Sequence, residues 1–422
     1  MYGGGNYYAD EVSGIVLDIG CHLTRAGYAG EDTPKVVIPS YIGMIENPDP
    51  NQMDVEGIAP FAGEKIMKYR DFMKLEQVFA EGGDKSEKLE EICREAIENE
   101  LKLNPREHPF LLSEPSIHDR ESRVALTEMM FEKFQIPAFY IVKSAVLSSF
   151  ASGRSTSLVL DSGAYTTWAV PVHDGYVLQK SIVKFNIGGE TITDVLLNHL
   201  VSLGVNIRPH YTFNKTVKCF VEGGEVQGNP EFTLEDIPRP NVDPSYQDFS
   251  IREIVRDIKE TTFKVSDNTF SETSFANVPS SSYELPDGTQ VQLGNERYRI
   301  PELLFSSGIE GVIGFSGVHQ MVYDSITRCD MDIRRELYGN VVVTGGNSLF
   351  GGFTDRLHKK LTELTTQNMK VKLIAPQSTI ERRFSSWIGG SILASLGSFQ
   401  QMWMSKQEYD EHGAILIERK CP

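Results

Sequence analysis

One pattern, Val-Leu-Asp-x-Gly, occurs twice in the sequence and constrains the fold more than any other feature. The first copy contains Asp18 and Gly20, the second contains Asp161 and Gly163, and each runs on into a second strand-like stretch. A buried strand that ends in Asp-x-Gly and turns back as a hairpin presents backbone N–H groups and a carboxylate, which suit phosphates and a hydrated cation. For either copy alone, a β-turn with a capping Asp and a positive-φ Gly explains the residues as well. The repetition favours two similar lobes that face one phosphate-binding cleft.

The apolar pattern along the chain indicates an α/β protein. Runs rich in Val, Ile and Leu, each closed by Gly or Asp, alternate with stretches of helical spacing. A helix is predicted over 85–103, where Ile92, Cys93, Ala96 and Ile97 would face the core. Strands are predicted at 14–18, 35–38, 110–112, 138–142, 157–161, 167–172 and 341–344.

The composition excludes several classes of function. The formal net charge is −17, so bulk electrostatic binding to nucleic acid or to anionic membrane is not expected. We expect a soluble, intracellular protein without membrane contact, because no signal peptide and no spanning apolar run is found. The five cysteines form no C-x-x-C pair, and the common nucleophile, zinc-protease and P-loop motifs are absent. A hydrolase of the common nucleophilic types is therefore disfavoured.

Two further features concern glycine and proline. Gly345, Gly346 and Asn347 follow the apolar strand 341–344, where close backbone approach to a ligand is one reason for two glycines. The stretch 210–250 is rich in Gly and Pro and is predicted to be an exposed insertion.

Several longer stretches resemble actin and its relatives over nearly the whole chain. They are DIGCHLTRAGYAG at 18–30, FASGR at 150–154, LDSG at 160–163, REIVRDIKE at 252–260, WIGGSILASL at 387–396 and KQEY at 406–409. The resemblance implies an α/β actin-like ATPase fold whose two lobes divide into four subdomains around a nucleotide cleft. Subdomain 1 would comprise 1–39, 77–151 and 385–422, the diverged subdomain 2 would be 40–76, subdomain 3 would be 152–187 and 300–384, and subdomain 4 would be 188–299.

The resemblance also implies ATP or ADP as ligand, with Mg²⁺ or alternatively Ca²⁺. Asp18 and Asp161 would hold the cation through water. Carried over position by position, the first phosphate loop would contain Asp18, Gly20, Cys21, Leu23 and Arg25, and the second Asp161, Gly163 and Thr167. Around the adenosine would lie Arg256, Lys259 and Glu260, with Gly345, Gly346 and Asn347 beneath it and Arg383 near the base.

Departures from the actin pattern predict very slow hydrolysis or none. Ser144 stands where actin has the glutamine that orients the attacking water, and Ala164 stands where it has a second cation-associated aspartate. Tyr165 and Trp168 occupy adjacent glycine and nearby histidine positions. Losing one positioning group commonly lowers a rate on the order of a hundredfold. We therefore expect a nucleotide-binding protein that is not an enzyme.

Within the family, residues 171–178, 329–334, 381–385 and 419–422, with the opening MYGG, resemble the nuclear actin-related protein 4 class. That resemblance implies a nuclear, partly cytoplasmic subunit of chromatin-remodelling and histone-acetyltransferase complexes, with roles in transcription and DNA repair. The implied partners are actin and the helicase-SANT-associated helix of a scaffold subunit; histones remain open, and strong direct nucleic-acid binding is not expected. The alternatives are a filament-forming cytoskeletal actin-like protein, disfavoured by the diverged segment 40–76, and an active ATPase of the same superfold.

An apolar partner groove is the last expectation from the family resemblance. Its walls would be Phe150, Ile388, Ile392, Leu393 and Leu396, with Tyr176 at the rim. Spacing of four residues between Ile388, Ile392 and Leu396 also fits an ordinary core stripe. A groove of this kind suits an amphipathic scaffold helix.

Overall fold

The computed structural model describes residues 13–45, 60–68, 70–71, 73–79, 85–117, 119–218, 221–222, 225–226, 231–306 and 314–422. The opening MYGG and residues 46–59 of the diverged segment 40–76 lie outside the described residues. Within the described part, no helix is long and apolar enough to cross a membrane. Among the described residues, Cys21, Cys93, Cys329 and Cys421 are free thiols.

The first lobe is built on a six-stranded sheet. Its strands, in spatial order, are Met404–Ser405, Ala138–Lys143, Phe110–Glu114, Ile15–Ile19, Leu23–Tyr28 and Val36–Pro39. The last three run antiparallel to one another, whereas Ile15–Ile19, Phe110–Glu114 and Ala138–Lys143 are parallel. Ile15, Val16 and Leu17 are fully buried in a core shared with helices of both chain ends.

The second lobe repeats this arrangement. The strands of its sheet, in order, are Tyr176–Val177, Thr167–His173, Ser157–Ser162, Val341–Thr344 and Leu373–Ile374, and Val183–Phe185 also pairs with Thr167–His173. Again an antiparallel hairpin, Ser157–Ser162 with Thr167–His173, continues into two parallel strands. The duplication predicted from the two Val-Leu-Asp-x-Gly patterns is thus confirmed, as are all seven predicted strands.

Helices cover both sheets. The longer ones are Lys85–Arg94, Arg120–Glu128, Ser144–Ala151, Gly189–Ser202, Pro244–Thr262, Val318–Thr327, Met331–Gly339, Phe353–Leu364 and Ser385–Ser395. Short ones are Lys65–Lys68, Glu272–Phe275, Glu296–Arg299, Thr379–Arg383, Lys406–His412 and Ile417–Lys420. The helix predicted over 85–103 is confirmed and continues beyond Arg94 as the π-helical segment Glu95–Glu100. Met129–Lys133 similarly extends Arg120–Glu128.

Two helices meet where the lobes join. Ser144–Ala151 packs on Ser385–Ser395 and on the second sheet, so it links the two lobes. The contact depends on Gly389, where a Cβ atom would lie only 1.9 Å from the carbonyl oxygen of Leu147. A side chain at this position cannot fit without moving one helix away from the other.

The outer part of each lobe is made of smaller pieces. The strand pairs are Tyr41–Met44 with Lys74–Gln77, Phe213–Lys218 with Glu231–Asp236, Val221–Glu222 with Glu225–Val226, and Ser281–Glu284 with Gln290–Leu293. The insertion predicted over 210–250 therefore contains a hairpin and ends early. Pro244 begins the long helix, because Asp243 caps it by accepting a hydrogen bond of 2.8 Å from the Ser245 N–H. The subdomain boundaries stay a prediction.

Candidate nucleotide site

The tips of the two repeated hairpins have the same geometry. In the first, the N–H of Gly20 donates to the carbonyl oxygen of Leu23 over 3.0 Å; in the second, the N–H of Gly163 donates to that of Thr166 over 3.0 Å. Each hairpin brings one aspartate, Asp18 or Asp161, to the end of its first strand. Both copies are therefore tight hairpins, as either interpretation of the sequence pattern requires. Each places backbone and one carboxylate at the cavity between the lobes.

The two aspartates lie in different electrostatic surroundings. Asp18 accepts a 2.6 Å ion-paired hydrogen bond from Nη1 of Arg25, whose guanidinium also lies 5.1 Å from the Phe384 ring centroid. Burial and the nearby charge of Asp18 raise the pKa of Asp161 to about 6, with Arg25 opposing them. Arg25 is thus ion-paired with Asp18 and only partly offsets the negative charge of Asp161.

The third glycine turn contacts the second hairpin directly. Gly345 has φ +89°, and a Cβ atom there would lie 2.6 Å from Oδ1 of Asp161 and 2.3 Å from the Ser162 carbonyl oxygen. Nδ2 of the buried Asn347 donates to the carbonyl oxygen of Gly163 over 2.8 Å and to Oγ of Ser162 over 3.1 Å. Glycine is required at 345 because both the conformation and the space exclude a side chain.

Cationic side chains approach from helix Pro244–Thr262. Nη2 of Arg256 donates to Glu190 over 2.6 Å. Nζ of Lys259 donates to the Gly189 carbonyl oxygen over 2.9 Å, and burial followed by the charge of Arg256 lowers the pKa of Lys259 to about 8. Arg383 is the last residue of the short helix Thr379–Arg383, and its Nη1 lies 3.5 Å from Oε2 of Glu260.

These groups enclose one cavity of about 430 Å³ between the lobes, a volume typical of small-molecule sites. Most residues that the family resemblance assigned to the nucleotide line it. They are Asp18, Gly20, Cys21, Leu23, Arg25, Asp161, Gly163, Arg256, Lys259, Glu260, Gly345, Gly346, Asn347 and Arg383, joined by Ser144. Thr167 does not line it; its buried hydroxyl donates to the Ile187 carbonyl oxygen over 2.7 Å, and Thr166 faces the cavity instead.

Sequence reasoning missed His22 and Lys184. Both line the cavity, and Nζ of Lys184 lies 4.7 Å from the Trp168 ring centroid. Burial and the surrounding cations Arg256, Lys259, Arg383 and Arg25 lower the pKa of His22 to about 3. No local signal marked Lys184, because only the pairing of Val183–Phe185 with Thr167–His173 brings it to the cavity.

The charge distribution of the cavity suits an anion together with a cation. The cations that surround His22 offer positive charge to an anionic ligand such as a phosphate chain. A cation near Asp18 and Asp161 would offset the repulsion that raises the pKa of Asp161. Among the described residues, no three His, Cys, Asp or Glu side chains converge as a ready-made metal site.

The side chains predicted to form the partner groove lie near the contact of helices Ser144–Ala151 and Ser385–Ser395, and several are partly exposed. Phe150, Ile392 and Leu396 are 37%, 38% and 38% exposed, and Tyr176 is 62% exposed. Ile388 and Leu393, in contrast, pack against the core of the first lobe. Some of these residues are therefore exposed and others belong to the core, and the partner groove itself stays a prediction.

The comparisons with known proteins agree with this architecture. A family model described as Actin matches residues 9–422. Curated proteins named Actin-related protein 4 from Oryza sativa subsp. indica and from Arabidopsis thaliana are 44% and 42% identical to this chain, and the whole of each chain is covered. With these matches over its full length and with two repeated hairpins around one cavity, the chain belongs to the actin family.

Proposed function

We propose that this protein holds an adenine nucleotide with a divalent cation and acts as a non-filamentous assembly subunit in the nucleus. The observation that carries the first part is the cavity in which two hairpin carboxylates face a group of buried cations. The second part rests on similarity to proteins named Actin-related protein 4. Its proposed setting is chromatin-remodelling and histone-acetyltransferase complexes, where it would pair with actin on a scaffold helix.

Within this proposal the residues have distinct roles. Asp18 and Asp161 would hold Mg²⁺ or Ca²⁺ through water, and the ion would neutralise phosphate charge. Arg25, shared with Asp18, and Lys259 would contact the anionic part of the ligand or its ribose side. Beside Gly346 a Cβ atom would meet nothing within 4 Å, so this turn leaves room for a flat base against the backbone. Ser144 lines the cavity but is too short to replace a glutamine in orienting water, so hydrolysis would be very slow.

Nucleotide binding is tested with a variant that removes charge at the cavity without disturbing the core. Arg383→Gln removes a partly exposed cation that lies 3.5 Å from Glu260. We expect about tenfold weaker ATP binding by calorimetry, since a hydrogen bond to a charged group contributes about 1.5–3 kcal/mol. Arg208→Gln is the matched control, because it breaks a similar ion pair with Asp236 away from the cavity. Absence of ATP binding by the unmodified protein after removal of endogenous nucleotide contradicts the proposal.

The partner surface is tested at an exposed position of the groove. Ile392→Asp places a charge on a side chain that is 38% exposed, whereas Leu393→Asp would disturb the core against which Leu393 packs. Truncating or charging a central anchor typically costs about 2 kcal/mol or more, so we expect at least about thirtyfold weaker capture by a scaffold-helix peptide. Ile415→Asp, at a comparably exposed residue of the same lobe, is the control. Equal capture of both variants would place the partner surface elsewhere.

A further inference from the structure

An apolar cluster joins the outer ends of the two lobes. On the first lobe it contains Ile45, Phe61, Ile66, Met73 and Leu75, and on the second it contains Tyr246; all are buried. Tyr41, Tyr211, Val242 and Phe249 are partly buried against it. We call these residues the outer cluster. No residue of the outer cluster is among the described residues that line the nucleotide cavity.

Polar contacts cross the same junction. Nη1 of Arg239 lies 3.0 Å from Oδ2 of Asp71, and Oγ of Ser245 accepts a hydrogen bond of 2.8 Å from the N–H of Leu75. In each pair one partner belongs to the first lobe and the other to the second. These contacts give the apolar packing a fixed register.

A chain of aromatic rings connects the outer cluster to the cavity wall. The hydroxyl of Tyr41 lies 3.4 Å from that of Tyr165, which lines the nucleotide cavity, and the ring of Tyr41 packs edge-on at 4.9 Å from that of Phe249. A second cavity of about 670 Å³ lies at this point, lined by Tyr41, Tyr165, Phe249 and Arg252 among others, and it shares Cys21 and Tyr165 with the first. The outer cluster therefore stands over the outer side of the nucleotide cavity.

We propose that the outer cluster is a latch that sets the rate of nucleotide exchange. The inference rests on the proposed nucleotide binding and adds its regulation. A ligand enclosed between the lobes leaves only when they separate, and separation exposes the buried side chains of the outer cluster and breaks its cross-lobe hydrogen bond and ion pair. Because the latch residues do not line the nucleotide cavity, and the latch is closed both with and without ligand, weakening it speeds entry and exit by the same factor and leaves the equilibrium affinity unchanged.

Two full-length variants weaken the latch in different ways. Phe249→Ala removes a ring at the edge of the cluster, and Arg239→Gln combined with Ser245→Ala removes both cross-lobe polar contacts. From the usual contributions of a half-buried Phe and of one hydrogen bond with one exposed ion pair, each variant should exchange nucleotide about tenfold faster. The matched controls are Phe232→Ala, which truncates an exposed ring in the same part of the chain, and Arg208→Gln.

The measurement is release of a fluorescent ATP analogue with Mg²⁺ into excess unlabelled ATP, with association rates measured in parallel. We expect both rates to rise in the latch variants, an unchanged Kd, and control variants that behave as the unmodified protein. Unchanged release rates in both latch variants overturn the latch while leaving nucleotide binding intact. A higher Kd with an unchanged association rate also overturns it, because the residues would then support the bound ligand directly. If the unmodified protein binds no analogue, the proposed function fails first.

Discussion

The charge of Asp161 should make the ligand-free protein less stable at neutral pH. Its pKa is raised from 3.8 to about 6 by burial and by Asp18. The folded chain therefore binds this proton more tightly than the unfolded chain, and stability falls as the pH rises from below 3.8 to above about 6. At 1.36 kcal/mol for each pKa unit, the penalty at pH 7.5 reaches at most about 3 kcal/mol, less whatever water in the cavity screens.

Asp161→Asn removes that penalty, so we expect the variant to be more stable than the unmodified protein by about 1–3 kcal/mol at pH 7.5. The measurement is urea unfolding in EDTA after removal of nucleotide, at pH 7.5 and at pH 5. At pH 5 the difference should shrink, because the carboxyl of Asp161 is then mostly protonated in the folded protein. With Mg-ATP the advantage of the variant should be largely cancelled, since a ligand at a hundred times its Kd stabilises the unmodified protein by about 2.7 kcal/mol and the variant lacks one cation-holding group.

Asp18→Asn provides a control of opposite sign. Asp18 is paired with Arg25 at 2.6 Å, and both side chains are largely buried. Neutralising it breaks this buried ion pair, which should cost more than the relief of its repulsion with Asp161 returns, so we expect a net loss of about 1–2 kcal/mol at pH 7.5 in the same assay. A ligand-free Asp161→Asn protein that is no more stable than the unmodified one, or a difference that does not change with pH, would refute the reasoning about charge.

The remaining predictions concern packing and chemistry. Gly389→Ala should lower the melting temperature by several degrees, because a Cβ atom would lie 1.9 Å from the Leu147 carbonyl oxygen, whereas Gly397→Ala, with open space around it, should leave the melting temperature nearly unchanged. Single-turnover hydrolysis of labelled ATP should be far slower than in filamentous actin, and Ser144→Gln should accelerate it while Ser144→Ala should not. A rate comparable with that of filamentous actin contradicts the assignment of Ser144.

The sequence predicts what short stretches determine. The run Ile15–Ile19 is apolar, ends in Asp-x-Gly and returns as a strand, so its hairpin follows from adjacent residues, and the same holds for Ser157–Ser162. The residues carried over by resemblance come from distant segments, and they converge on the cavity because the actin-family fold brings those segments together, with Thr167 as the exception. Strand alternation turns Thr167 inward to its bond with Ile187, and Thr166 faces the cavity.

What the sequence did not predict depends on contacts between distant segments. Lys184 reaches the cavity only through strand pairing, and the cations around His22 come from widely separated positions. Ile392 and Leu393 illustrate the same point on one helix. Both are apolar neighbours with similar sequence signals, yet Ile392 is exposed and Leu393 packs inward, because helix Ser385–Ser395 turns one face to the first lobe.

Two opposing contributions to the free energy decide whether the lobes stay closed: the charge of the two aspartates and the packing of the outer cluster. Asp18 belongs to the first lobe and Asp161 to the second, so separating the lobes would relieve the burial and the repulsion that together raise the pKa of Asp161, by at most about 3 kcal/mol when no cation is bound. The outer cluster opposes this, because each fully buried large apolar side chain contributes about 1.5–3 kcal/mol, and several members of the cluster would be exposed by opening. The apolar term is the larger, so the lobes should stay closed even without a cation. In the diverged segment 40–76, side chains that pack with Tyr246 and Phe249 would not be available to a neighbouring subunit, which is a physical reason to expect that the chain forms no filament.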